Sequence, residues 1–228
     1  MRTFNSSPAP QSQVLLQSFM QRVYQWMAGG LALTGFIAYW ASGNLQLMRA
    51  LSGGMFFVLM LAELGLVFWL SSQIHKISAA AATIGFLVYS GLNGLTLSYL
   101  FLVYTSTSIA TTFFLTAGTF AAVSLFGWTT KTDLTSLRSF LFMGIIGILI
   151  ASVVNIFLKS PAMYWIISYA GLGIFIALTA YDTQRLKEIQ SQNPDAPDQM
   201  AIMGALKLYL DFINMFIMLL RIFGGRRE

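Results

Sequence analysis

Three acidic residues interrupt otherwise apolar runs of this chain: Glu63, Asp182 and Asp211. An ionisable group inside a membrane span is costly to keep there, so each of the three is by default a site residue. Two of them can be placed against each other from numbering alone. The midpoint between Asp182 and Asp211 falls between Ala196 and Pro197, inside the turn Asn193-Pro194-Asp195-Ala196-Pro197. In a symmetric antiparallel hairpin, residues equidistant from the turn share a depth, so the two carboxyls face each other if both point inward. Carboxyls in contact in a low dielectric resist ionising together and can share one proton. Protonation then changes the charge at a packed helix crossing, which is how a pH switch works. The plain alternative is local pairing, Asp182 with Arg185 and Asp211 with Lys207, each within a turn of its own helix.

The elements that must hold these groups are long apolar helices. Seven segments approach the roughly 20 apolar residues a span requires: 23–41, 51–70, 79–103, 108–128, 139–158, 162–184 and 201–223. Their runs are apolar on all sides rather than alternating, which does not fit a transmembrane barrel. In the last segment Lys207, Asp211, Asn214, Met218 and Arg221 recur at i, i+4, i+7, i+11 and i+14, a polar seam along one helical face. Lipid does not tolerate such a seam, so the seventh helix is expected to be central, surrounded by the other six. Gly171, Leu178, Thr179, Asp182 and Arg185 make a smaller matching face on the sixth.

Composition agrees with an all-α membrane protein. Of 228 residues, 57% are hydrophobic and 9% charged, against about 25% charged in a soluble domain. The net charge of +5 sits at ends and loops, which reads as membrane topology and not as nucleic-acid binding. With no cysteine and one histidine, thiol chemistry and multi-histidine metal sites are excluded. The expected organisation is a polar cytoplasmic tail over 1–22, a seven-helix membrane domain over 23–224 and a short tail over 225–228. The first twenty residues lack the apolar core of a signal peptide and turn amphipathic from Val14. More basic residues fall on the N-terminal side, which predicts a cytoplasmic N-terminus and a C-terminus across the membrane.

Glu63 lies mid-span among Leu59, Met60, Leu66 and Val67, with no base on its own helix to neutralise it. It either faces an aqueous cavity, where a hard carboxylate suits a cation path, or makes an interior polar contact to Asn93 or Asn214. The five tryptophans fall near span ends, as an interfacial belt requires.

Three stretches resemble a known family. FFLTAGTFAAVSLFGWTTKTDL from Phe113, LTAYDTQRLK from Leu178 and LYLDFINMFIMLLRIFG from Leu208 are similar to the bacterial inner-membrane branch of the Bax inhibitor-1 (TMBIM) family. The resemblance implies seven helices with the last one central, and a pH-sensitive calcium leak. It implies that Asp182 and Asp211 form a diaspartyl proton sensor, and that Glu63, in LMLAELGLVFWL, belongs to the ion path; Asn214 on the polar seam is placed with it. Calcium enters as the transported ion, with no cofactor. Some relatives latch the aspartates with an arginine late in the second helix. The matching stretch here, Ser71-Ser72-Gln73-Ile74-His75-Lys76, has none, so a latch or charge partner must come from His75, Lys76, Arg185 or Lys207. The resemblance also implies the membrane-anchored protease FtsH as a partner.

Two enzyme readings compete. An intramembrane aspartyl protease pairs a Tyr-Asp with a Gly-x-Gly-Asp; Tyr181-Asp182 supplies the first, but Leu208-Tyr209-Leu210 precedes Asp211. A retinal protein would need Lys207 as its Schiff base, one turn from an acid and near a helix end. Neither pattern is complete, so no catalytic residue is expected. A non-conducting modulator that binds another membrane protein is the remaining alternative.

Overall fold

The computed structural model describes residues 10–74, 76–192 and 198–227. The described chain is helical: α1 (Pro10–Ser42), α2 (Leu45–Ala50), α3 (Gly54–Gln73), α4 (Ala79–Leu97), α5 (Leu100–Val103), α6 (Ser106–Thr129), α7 (Arg138–Leu158), α8 (Pro161–Gln192) and α9 (Asp198–Phe223). Side-chain caps start several of them. Asn44, Ser78 and Thr105 accept the backbone N–H groups of Leu47, Ala81 and Ser108, satisfying donors that the first helical turn leaves free.

Six helical stretches are long and apolar enough to cross a membrane: Gly54–Gln73, Ala79–Val103, Ser106–Thr129, Thr135–Leu158, Pro161–Ser191 and Asp198–Phe223. The sequence reading has seven. The difference is α1, whose membrane-length stretch is diluted by Gln25, Gly29, Gly30, Tyr39 and Trp40. Only one of its faces is buried. Val23, Met27, Leu31, Thr34, Ala38 and Ala41 form one buried stripe at helical spacing, and the other faces are open. Helix also runs back through the segment expected as a polar tail, where Phe19 and Met20 are buried.

α9 is buried on nearly every side, including Tyr209, Asp211, Met215 and Leu219. It packs against α8, α1, α6 and α4, while α3 lies on α4 and α7 lies on α8. Small residues let the backbones close up where helices cross. A side chain at Gly127 of α6 would strike the Ala180 carbonyl of α8, and one at Gly94 of α4 would strike the Thr34 carbonyl of α1. The lipid-facing shell is apolar, with Phe57, Phe68, Phe142 and Phe157 all more than half exposed.

Candidate functional site

α8 and α9 pack together along an extensive contact, and they bring the two aspartates together. Asp211 is 4% exposed and its Oδ2 has no hydrogen-bond partner among the described residues. Asp182, half-buried on α8, lies within direct charge–charge range of Asp211, as does Lys207 one turn earlier on α9. The turn at residues 193–197, about which the symmetry was drawn, lies outside the described residues.

Neither aspartate is in an ion pair among the described residues. The pairs found there are Arg22 with Asp198 at 3.2 Å and Arg185 with Glu188 at 3.0 Å. Arg185 therefore spends its guanidinium on Glu188, three residues along its own helix, and not on Asp182. Asp182 and Glu188 both lie three residues from Arg185 on one helical face, and the guanidinium takes Glu188, the one away from the α8–α9 crossing. Lys207 and Arg185 line a cavity of ≈ 530 Å³ with Arg138, Tyr181 and Leu178, between α7, α8 and the start of α9. His75 lies outside the described residues.

The α8 end of the site is held rigidly. Gln184 donates to the Thr132 carbonyl at 2.9 Å and accepts the Leu134 N–H at 2.8 Å. Lys187 donates to the Trp128 carbonyl at 2.9 Å and sits 5.5 Å from the centre of the Trp128 ring. The loop between α6 and α7 is thereby tied to the two turns that carry Asp182. A chain of hydroxyls, Tyr24 to Ser124 and Ser124 to Thr183 at 3.0 Å, ties α1 and α6 to the same stretch.

Glu63 makes an interior contact, and its partner is the Thr96 hydroxyl of α4. The sequence reading offered Asn93 or Asn214. Asn214 instead donates to the Leu210 carbonyl of its own helix at 2.8 Å, because an amide at i+4 reaches that acceptor without leaving the helix surface. Asn93 donates to the Tyr89 hydroxyl at 3.4 Å, and its own Oδ1 is buried with no partner among the described residues.

Tyr209 is the residue that sequence reasoning missed. It is fully buried, and its hydroxyl meets that of Thr34 at 2.6 Å; Thr34 donates on to the Ser90 carbonyl at 2.9 Å. The rings of Phe86 and Tyr89 meet it edge-on at 5.7 and 5.8 Å. Two separate polar contacts thus line these helices: Glu63 of α3 with Thr96 of α4, and Thr34 of α1 with the Ser90 carbonyl of α4 and with Tyr209, two residues from Asp211. The available signal was a tyrosine lying off the stripe of Lys207, Asp211, Asn214 and Arg221 on the same helix.

Known proteins decide the lineage. The family described as "Inhibitor of apoptosis-promoting Bax1" matches residues 16–228. The chain belongs to the Bax inhibitor-1 family. It is 50% identical over 218 residues to the inner membrane protein YbhL of Escherichia coli strain K12, covering 93% of each chain. It is 44% identical to an uncharacterized protein of Borreliella burgdorferi, covering 96% of each. It is 39% identical to an uncharacterized membrane protein of Streptococcus pyogenes serotype M1, covering 94% of this chain and 95% of the relative. Six apolar helices and this membership make the chain a multi-pass membrane protein of the Bax inhibitor-1 family. Among its described residues no three His, Asp or Glu side chains gather as a metal centre would require.

Proposed function

We propose that this Bax inhibitor-1 family protein is a pH-sensitive calcium leak of the bacterial inner membrane, gated by protonation of Asp182 and Asp211. One observation carries the reading: a buried carboxyl, Asp211, with an oxygen that has no partner among the described residues, lies across the α8–α9 contact from a second carboxyl. A proton shared between them lowers the repulsion at that crossing, and its departure restores it. Glu63, which accepts a hydrogen bond from Thr96, is the second station on the ion path. Calcium is then substrate and not resident cofactor, and no catalytic residue is assigned. Lys207, within charge range of both aspartates, is the balancing cation in place of an arginine latch.

The proposal extends to topology. α1 counts as the first of seven spans: it is 33 residues long and packs on α4 and α9, which supports a place inside the bundle. α9 is the central helix in that arrangement. The N-terminus is cytoplasmic and the C-terminus lies across the membrane, as the basic residues near each end favour. The name of YbhL supports the inner membrane as its location.

The test is calcium entry into liposomes holding the purified protein while pH is stepped on each side. The wild type is expected to change its flux with pH, and Asp182→Asn and Asp211→Asn to lose that response. A flux that both variants leave unchanged would sink the aspartate gate. No flux at all returns the protein to a non-conducting modulator that binds another membrane protein, FtsH being the partner to try. Cleavage of a membrane peptide that stops with either substitution would make it a protease.

A further inference from the structure

The far end of α8 from Asp182 has the opposite electrostatic character. There α7 ends, α8 begins and the segment after α9 folds back, enclosing a cavity of ≈ 520 Å³. Lys159, Arg221 and Arg226 line it, with Asn155, Ser160 and Tyr164. Among the described residues no carboxylate pairs with any of the three cations. Glu228 lies outside the described residues.

The cavity is built rather than incidental. Lys159 has φ 49°, in the left-handed region that a side chain seldom adopts, and this turns the chain sharply out of α7. Asn155 secures the turn, accepting the Lys159 N–H on its carbonyl at 2.8 Å and the Ser160 N–H on its side chain at 2.9 Å. The returning segment is fixed to the start of α6. The Thr105 N–H donates to Gly225 at 3.1 Å, the Gly225 N–H to the Ser108 hydroxyl at 2.9 Å, and the Arg227 N–H to Val103 at 2.9 Å. This holds Arg226 5.8 Å from the Tyr164 ring, where Arg221 already stands at 5.6 Å. Two guanidiniums on one ring, with a lysine in the same cavity, repel each other until an anion joins them. A guanidinium's planar fork suits phosphate oxygens above other anions of that size.

The surroundings say at what depth that anion lies. Trp165 and Tyr169 stack at 5.8 Å on the first turns of α8, and both are exposed, as aromatic residues are at the headgroup level. Phe157 and Leu158, just before the turn, are 82% and 60% exposed and face the acyl region.

We propose that Lys159, Arg221 and Arg226 bind a phosphate group at the membrane surface, carried by an anionic phospholipid or free in solution. The site is separate from the aspartate pair, and its test does not depend on ion flux. The full-length protein is placed in nanodiscs of phosphatidylglycerol mixed with phosphatidylcholine, and the lipids retained on extraction are counted by native mass spectrometry. Thermal unfolding in detergent is followed in parallel with inorganic phosphate added. The wild type is expected to retain phosphatidylglycerol preferentially. Removing one charge lowers the preference about five-fold, the worth of one cation near a membrane surface. Lys159→Asn is the first variant, because asparagine accepts the left-handed backbone while the charge is lost. Arg226→Gln is the second and Arg226→Lys its charge-keeping rescue. Arg49→Gln and Lys131→Gln, outside the cavity, are expected to leave the preference intact. Stabilisation by inorganic phosphate that the variants lose, without a lipid preference, upholds the site and assigns it to free phosphate. A lipid preference that the cavity variants do not change, or no response to either probe, overturns it.

Discussion

α7 and α9 are both apolar helices of membrane-spanning length, yet they live in opposite places. α7 is the more apolar of the two and only 6% of its span window is buried, whereas 72% of the α9 window is. In water the more apolar helix would be the hidden one. In a bilayer the solvent is itself hydrocarbon, so apolarity alone gives a helix no reason to leave it. What drives a helix inward is the polar group it cannot leave in lipid, and α9 carries Lys207, Tyr209, Asp211 and Asn214. The comparison teaches that polarity locates the interior of this molecule and apolarity locates its surface.

Exchanging the two characters is the strongest way to break that comparison. Leu149 is 56% exposed near the middle of α7, so Leu149→Arg is expected to cost about 3 kcal/mol of insertion free energy. The yield of membrane-inserted, folded protein would report it, and an undiminished yield would show that α7 does not face lipid. Gly204→Leu probes the opposite case. A side chain there meets Leu186 and Val23, so overpacking is expected to cost about 1–3 kcal/mol, read as a lowered Tm in detergent. Tyr209→Phe removes one hydroxyl from the buried Thr34–Tyr209 pair while Thr34 keeps its bond to Ser90; a loss of about 0.5–1.5 kcal/mol in the same measurement is expected. Gly147→Ala on α7 has open space around it, so it is expected to gain up to about 1 kcal/mol from helix propensity. A drop in Tm there as large as for Gly204→Leu would erase the distinction between the two helices.

The aspartate pair was legible because a hairpin turns sequence distance into depth. Equal spacing from the 193–197 turn places Asp182 and Asp211 at one level, and the seam through Asp211 sets which way it faces. Partners that belong to third helices were not legible. Glu63 meets Thr96, not the asparagines a sequence reader would choose, because the choice depends on how α3 is rotated against α4. Arg185 was a candidate charge partner for Asp182, but its guanidinium pairs with Glu188 instead. The cationic cavity was hidden for the same reason: Lys159 comes from the turn after α7, Arg221 and Arg226 from the end of the chain, and they meet only when that end folds back.

By itself the sequence determined that the chain is helical, apolar and membrane-bound, and which carboxyls would be held out of lipid. Those properties follow from local composition, helical period and distance to a turn. Only the tertiary structure decided which groups answer those carboxyls and where uncompensated charge collects. Contacts between helices depend on rotation and close approach, and these are set by glycines such as Gly94 and Gly127 meeting backbone on other helices. No stretch of one helix carries that information alone.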